Sequence, residues 1–135
     1  MRIVVDTNVF VSAAIKDSSL PATAIYLVRQ HGTLLKSAAT EAQFMEVLDR
    51  PYLAKLIAPA SRDWLYELMA SAEYVEIIER ISACRDPTDD KFLELAVNGY
   101  ADLVVSGDAD LRVLNPFRGI PIVSPAIYVG NVRRQ

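Results

Sequence analysis

Short apolar runs alternate with amphipathic segments along the chain. Runs of β-branched and apolar residues predict buried strands, and apolar positions that recur every three or four residues predict helices between them. Pro21 marks a helix start, whereas Gly32 and Gly99 mark helix ends. The predicted strands cover 3–5, 33–37, 75–78, 103–106 and 120–123, and the predicted helices cover 9–15, 21–31, 40–50, 53–58, 63–72, 89–98 and 110–114. This alternation predicts an α/β fold, a three-layer α/β/α sandwich around a mostly parallel central sheet.

Composition narrows the class of protein. The chain has 135 residues, of which 52% are hydrophobic and 23% charged, so we expect a single domain over 1–135 and exclude intrinsic disorder. The lone cysteine, Cys84, excludes an intramolecular disulfide framework. Because there is no apolar run of membrane-spanning length and no signal-peptide pattern, we expect a cytoplasmic protein without a membrane partner.

The net charge of −3 argues at first against a nucleic-acid partner, which usually needs a basic surface. That charge is unevenly distributed, since residues 86–110 hold seven acids and one base, Lys91, a local charge of −6. The rest of the chain is mildly basic, and four arginines follow Asp110 without a single acid. A metal site that used the local acids would cancel much of this negative charge.

Two apolar strands end in an aspartate. Asp6 follows 3–5 directly, and Asp108 follows 103–106 after one glycine. Ligand sites in open α/β sheets lie beyond the carboxyl ends of strands, so both carboxylates are expected at one site if these strands are neighbours. The turn and helix start at 86–90 supply further carboxylates.

Carboxylates brought together repel one another unless a cation neutralises them, and sites made only of oxygen ligands suit Mg²⁺ or Mn²⁺. The chemistry indicated is metal-assisted hydrolysis of a phosphodiester. Each acid also has a purely structural interpretation, because Asp is a common turn former and helix cap. The sequence leaves both interpretations open for every acid taken singly.

Five motifs together resemble the PIN domain family. They are Val-Asp-Thr-Asn-Val at 5–9, Val-Leu-Asp-Arg-Pro at 47–51, Asp-Pro-Thr-Asp-Asp-Lys-Phe at 86–92, Ser-Gly-Asp-Ala-Asp-Leu at 106–111 and Gly-Ile-Pro-Ile-Val at 119–123. Within the family, these motifs are most similar to those of the VapC-type ribonucleases, the toxin components of toxin–antitoxin systems. The resemblance implies a PIN-like fold and an endoribonuclease dependent on Mg²⁺ or Mn²⁺. It also implies an RNA substrate, a protein antitoxin as partner, and a homodimer.

Carried over motif by motif, the resemblance implies Asp6, Asp89 and Asp108 as catalytic, metal-binding acids and Asp110 as an accessory metal ligand. Asp89 is preferred to Asp90 because the motif Asp-Pro-x-Asp-x-Lys-Phe puts the family's acid there. Residues expected to support the acids through hydrogen bonds are Thr7, Asn8, Gln43, Asp90 and Ser106.

The helix over 40–50 departs from the family pattern. Family members commonly carry a glutamate where this chain has Gln43, which would offer a neutral oxygen and one negative charge fewer. Glu46 lies one turn further along the same helix face and is our candidate for the missing acid. A solvated surface glutamate is the alternative interpretation of Glu46.

Other chemistry-bearing residues fit structural roles. His31 is expected at a helix C-terminus, Cys84 as an inert small hydrophobe, and Trp64 within a helix that contacts the core or a partner. Tyr128 and the arginines near it are expected in a solvated tail, with an RNA groove as the alternative.

Two other classes of function stay open. A catalytically impaired PIN-like module that binds RNA or protein would follow if Gln43 weakens the metal site. A phosphatase-like or receiver-like domain also places aspartates at strand ends, but it requires a lysine at a late strand end that the sequence lacks.

Overall fold

The computed structural model describes residues 1–134, which form a five-stranded parallel sheet with helices on both faces. The strand order is β3-β2-β1-β4-β5, and each neighbouring pair is parallel. The fold class predicted above is therefore confirmed. The elements are β1 (Arg2–Val5), α1 (Thr7–Ile15), α2 (Leu20–His31), β2 (Thr33–Lys36), α3 (Ala38–Leu48), α4 (Pro51–Ala54), α5 (Pro59–Ser71), β3 (Glu73–Tyr74), a 3-10 turn (Pro87–Asp89), α6 (Asp90–Asn98), β4 (Leu103–Val105), α7 (Ala109–Arg112), β5 (Ile122–Val123) and α8 (Pro125–Arg133).

Side chains of the central strands point alternately to two cores. Ile3 and Val5 of β1 contact the core formed with α1, α2, α3, α5 and α8, whereas Val4 contacts the core formed with α6 and the chain before it. Period-two alternation is the geometry of a strand, and burial on both faces explains why these runs are continuously apolar. The sheet is thus the middle of three layers.

The acids at the strand ends cap the helices that follow. Asp6 accepts a hydrogen bond from the backbone N–H of Asn8 as the N-cap of α1, and Asp108 accepts one from Asp110 as the N-cap of α7. Asp86 caps the 3-10 turn in the same way through Thr88. Side-chain oxygens satisfy helix N–H groups that have no intrahelical partner, which fixes where each helix begins.

The predicted strand over 75–78 is wrong in position. Strand β3 covers Glu73–Tyr74, the N–H of Val75 still reaches Lys36 O at 2.7 Å, and the chain then leaves the sheet. The N–H groups of Ile78 and Glu79 bind the side chain of Asn98 instead of a neighbouring strand. Since those backbone donors are used by a helix side chain, no ladder forms there.

The solvated tail predicted around Tyr128 is also wrong. Residues Pro125–Arg133 form α8, which begins with Ser124 as N-cap and a proline in the first turn. The Tyr128 side chain is 3% exposed and packs in the larger core rather than in a solvated tail. Serine followed by proline is a helix-start signal, and here it marks a helix that closes the core.

Helix limits differ elsewhere by a few residues, as at α4, which is shorter than the segment 53–58, and α5, which starts at Pro59. His31 is the last residue of α2, as predicted. In residues 1–134 we find no helix with the length and apolarity needed to cross a membrane.

We expect Tyr128→Ala to reduce the free energy of unfolding by about 3–5 kcal/mol, the usual cost of truncating a large buried aromatic side chain. Urea denaturation measures this loss. The neighbouring variant Ile127→Ala is a matched control, because Ile127 is 52% exposed on the same helix and its truncation should change stability by less than about 0.5 kcal/mol. Equal, small effects of both variants would contradict a packed α8.

Candidate active site

Asp6 is a buried carboxylate at the carboxyl end of β1. Its side chain is 4% exposed, and one oxygen accepts a hydrogen bond from the Ser106 hydroxyl at 2.8 Å while the other accepts from the N–H of Asn8 at 3.2 Å. Burial raises the pKa of Asp6, and the charge of Asp108 adds to the rise, whereas the Ser106 and Asn8 bonds oppose it. The carboxylate is therefore held in place but costly to ionise.

Ser106 connects the two strand ends. Its hydroxyl donates to Asp6 and accepts the N–H of Asp108 at 3.0 Å, so one fully buried oxygen fixes both acids. The parallel register of β1 and β4, which pairs Val5 with Val105, brings these residues side by side. The predicted meeting of Asp6 and Asp108 is thus supported by a shared hydrogen-bonding partner.

Asp89 belongs to the same electrostatic group. Burial first, and then the charges of Asp108, Asp86 and Asp6, together raise its pKa to about 6 against the opposing charge of Lys91. In residues 1–134 no group donates a hydrogen bond to this carboxylate. Asp89 therefore faces the other two acids without any local donor to stabilise its charge.

Asp90 and Asp86, by contrast, are satisfied by backbone donors. Burial disfavours the charged form of Asp90, but hydrogen bonds from the N–H groups of Cys84 at 2.8 Å and Ala83 at 3.1 Å outweigh it and lower the pKa. The N–H and hydroxyl of Thr88 lower the pKa of Asp86. This difference favours Asp89 over Asp90 as the acid available to a ligand.

Two of the predicted acids are paired with arginines. The Asp110 carboxylate lies 2.9 Å from Arg85 Nη2, although its backbone N–H supports Asp108. Glu46 is on the exposed face of α3, where it forms an i,i+4 ion pair with Arg50 at 2.9 Å. Neither side chain is brought to the Asp6–Ser106–Asp108 group by a contact, so the metal role of Asp110 and the catalytic role of Glu46 stay predictions.

Gln43 reaches the site through Thr7. The Thr7 hydroxyl donates to Gln43 Oε1 at 2.7 Å, and Thr7 directly follows Asp6 in the chain. The hydrogen bond between Thr7 and Gln43 therefore supports the motif alignment that puts Gln43, rather than Glu46, beside the site. Its neutral amide adds no charge to the three carboxylates.

Lys91 is a residue whose role the sequence reasoning missed. Its ammonium lowers the pKa of Asp6, Asp86 and Asp89. Within residues 1–134 it forms no ion pair shorter than 4.0 Å, so it is a nearby positive charge rather than a fixed partner. The signal in the sequence that could have indicated this role is that Lys91 is the only base among the seven acids of residues 86–110.

Burial and the neighbouring Asp90 carboxylate raise the pKa of Cys84 to about 12, so the thiol stays protonated at neutral pH and is a poor nucleophile. Trp64 stacks on Tyr26 with ring centroids 4.8 Å apart, between α5 and α2. These contacts match the structural roles expected for both residues.

An open groove of about 530 Å³ adjoins the acids on the side of α1 and α8. Asp108 and Asn8 form part of its wall, so a ligand lying in the groove would meet the carboxyl end of the sheet. Its lining residues are Asn8, Val9, Ser12, Pro21, Gly107, Asp108, Ala109 and Pro125.

The donor set fits a hard divalent cation, because it consists of carboxylate oxygens. Burial, with a smaller contribution from neighbouring carboxylates, raises the pKa of Asp6 and Asp89. Within residues 1–134, no three His, Cys, Asp or Glu side chains form a group that could hold a metal ion. Asp89, which has no hydrogen-bond partner among those residues, is the acid most free to adjust.

The sequence matches the family model described as PIN domain over residues 2–110, which includes every motif acid from Asp6 to Asp110. This match confirms the resemblance drawn from the motifs. The chain is also 27% identical over 118 residues to "Uncharacterized protein MJ1680" of Methanocaldococcus jannaschii, an alignment that spans 82% of this chain and 73% of that protein.

Two solved structures share the fold. VapBC2 from Rickettsia felis, bound to a DNA fragment from its promoter, aligns with a TM-score of 0.62 over 92% of this chain and 98% of that one. PAE2754 from Pyrobaculum aerophilum aligns with a TM-score of 0.63 over 100% of this chain and 91% of that one. Sequence identity is 13% in both cases, so these similarities concern the fold.

We expect Asp89→Asn to stabilise the metal-free protein at pH 7.5 but not near pH 4. A carboxyl whose pKa rises to about 6 on folding makes the folded state bind more protons than the unfolded state, so its contribution to stability falls as pH rises from about 4 to 6. Thermal unfolding of both proteins in chelator across this range measures the difference. Equal melting temperatures at pH 7.5 would contradict the repulsion described for Asp89.

Proposed function

The chain belongs to the PIN domain family, and we propose that it is an endoribonuclease that hydrolyses RNA phosphodiesters with Mg²⁺ or Mn²⁺. The observation that carries the proposal is the joining of Asp6 and Asp108 by Ser106 at the carboxyl ends of two paired strands, with the charges of both acids acting on Asp89. Ion-pair networks also perturb pKa values, but these three acids have no basic partner within 4.0 Å in residues 1–134.

Each acid has a distinct part in this proposal. Asp6 and Asp108 are the fixed ligands, because Ser106 and the helix N–H groups hold their carboxylates. Asp89 is the adjustable ligand and completes the set. The bound cation would lower the pKa of a water molecule and neutralise charge on the phosphate.

Positive side chains beside the acids support a nucleic-acid substrate. Lys91 lies within electrostatic range of Asp6 and Asp89, Arg85 is at Asp110, and Arg112 Nη2 is 3.5 Å from Gly107 O. Cationic groups that contact phosphates supply most of the affinity that does not depend on sequence. RNA rather than DNA is proposed from the family branch that the motifs resemble.

We further propose a protein antitoxin as partner, a homodimer and a cytoplasmic location. The fold similarity to VapBC2, named as a complex, supports the antitoxin. Exposed Tyr52 and Leu56 between α3 and α5 support an additional contact surface. None of these proposals is needed for cleavage by the isolated chain.

The second candidate is a PIN-like module that binds RNA or protein with impaired catalysis. Gln43 favours it, because a neutral amide next to Thr7 leaves the site with three carboxylates rather than four. Isothermal titration with Mn²⁺ distinguishes the candidates, since the absence of metal binding would favour the module.

We expect the purified chain to cleave RNA in the presence of Mg²⁺ or Mn²⁺, and Asp6→Asn, Asp89→Asn and Asp108→Asn each to lower the rate by more than about 100-fold. Removing an outer hydrogen-bond partner of a metal ligand typically costs about 10–100-fold, and removing a ligand should cost more. Gel analysis of structured and unstructured RNAs, with chelator as the metal-free control, measures the rates.

Asp63→Asn is the matched control, because Asp63 is an exposed aspartate on α5 with no contact to the site acids, and its substitution should leave the rate unchanged. Circular dichroism checks that each variant is folded. Cleavage by Asp6→Asn at the wild-type rate would overturn the proposal.

We expect Gln43→Glu to bind Mn²⁺ more tightly than the wild type. The Thr7 hydroxyl can donate to a glutamate oxygen as it does to Gln43 Oε1, so the substitution adds a negative charge without removing the existing contact. Isothermal titration at pH 7.5 measures the affinity. Gln43→Ala is the comparison that removes the contact, and weaker binding by Gln43→Glu would show that the added carboxylate is misplaced.

A further inference from the structure

One face of α6 holds an irregular stretch of chain in place. We call residues 78–84 the strap. This segment lies between the edge strand β3 and the turn at Asp86. Its backbone N–H groups bind three polar side chains of α6 rather than a strand, and these side chains lie at positions i, i+4 and i+8 on one helix face. They are Asp90, Glu94 and Asn98.

The three side chains bind successive parts of the strap. Asn98 accepts from Ile78 at 3.0 Å and from Glu79 at 2.9 Å, and its amide donates to the Glu79 carbonyl at 2.8 Å. Glu94 accepts from Ile81 at 3.1 Å. At the end nearest the site, the single oxygen Asp90 Oδ1 accepts from both Ala83 and Cys84.

The Asp90 bonds close a short loop that contains Asp89. The loop runs from Ala83 to Asp90, and inside it the Asp86 side chain binds Thr88 while the N–H of Asp89 reaches Asp86 O at 3.0 Å. The chain from the strap to α6 is therefore fixed at both ends and bonded within.

Asp89 depends on this loop more than the other two acids depend on their surroundings. Asp6 is oriented by Ser106 and by the N–H of Asn8, and Asp108 by the N–H of Asp110. No donor in residues 1–134 orients the Asp89 carboxylate, so its place at the site depends on the position of its backbone rather than on a hydrogen bond to the side chain.

We propose that Asp90 is a positioning residue, which holds Asp89 at the site by binding the N–H groups of Ala83 and Cys84. Asp90 contacts neither substrate nor metal in this proposal. The link to metal affinity rests on the proposed function, whereas the ordering of the loop does not.

Two variants of one residue separate positioning from charge. Asp90→Ala removes the acceptor and leaves two N–H groups unpaired, whereas Asp90→Asn keeps a carbonyl oxygen for both of them but has no charge. The matched control is Asn98→Ala, which releases the far end of the strap at Ile78 and Glu79.

The first readout is backbone order in the metal-free protein, from ¹⁵N relaxation. We expect order parameters over 83–89 to fall from about 0.85 to below about 0.6 in Asp90→Ala, and to remain high in Asp90→Asn. Asn98→Ala should loosen 78–79 alone. The second readout is Mn²⁺ affinity, which should fall at least about tenfold in Asp90→Ala and stay within about threefold of wild type in the other two variants.

An ordered loop or unchanged Mn²⁺ affinity in Asp90→Ala would overturn the inference, and so would an Asp90→Asn variant as impaired as Asp90→Ala. If circular dichroism shows that Asp90→Ala is unfolded, Asp90→Ser replaces it. Serine is tolerated at the start of a helix, and its side chain is shorter than that of aspartate. A wild-type chain that binds no Mn²⁺ contradicts the proposed function instead, and the order parameters then decide the positioning role.

Discussion

The parallel pairing of β1 with β4 is the constraint on which the site depends. It brings Asp6 and Ser106, a hundred positions apart in the chain, within 2.8 Å at one edge of the sheet. The Asp6 N–H continues the ladder to Val105 O at 3.0 Å, so the acid is fixed by the sheet as well as by its own helix cap. Because side chains alternate along a strand, a slip of one residue in this register would exchange the faces of one strand relative to the other and separate the two residues.

The same pairing brings carboxylates together, which makes their charged forms costly. Hydrogen bonds offset this cost for some of the acids but not for others. Asp86 and Asp90 accept backbone N–H groups, which lower their pKa values, whereas burial and neighbouring charge raise the pKa of Asp6 and Asp89. A fold selected only for stability would pair or remove the carboxylates that remain unrelieved. Keeping them together near Lys91 is the arrangement expected where a cation or a phosphate binds.

The parts of this structure that sequence could predict are those encoded locally. An apolar run followed by Asp, or a Ser-Pro pair before a helix, contains its own signal, although the second signal was missed at Ser124. The path of the strap could not be predicted in this way, because its partners are side chains of a later helix. The apolar residues at 75–78, which lead into the strap, resembled a strand. The orientation of Glu46 could not be predicted from sequence either, because its side chain could pair with Arg50 or point towards Thr7.

The concentration of acid between 86 and 110 is not, as a whole, a metal cage. Six of its seven acids have partners in residues 1–134: Asp86 binds Thr88, Asp90 binds Ala83 and Cys84, Glu94 binds Ile81, Asp102 binds the N–H of Arg2, Asp108 binds the N–H of Asp110, and Asp110 pairs with Arg85. Asp89, which has no such partner, and Asp108, which shares Ser106 with Asp6, are the two that we propose to join Asp6. Three carboxylates beside one lysine have a formal charge of −2, which a single divalent cation would balance. The other acids stabilise the scaffold, and Asp110 also pairs with Arg85, a cationic side chain of the kind that a polyanionic substrate would require.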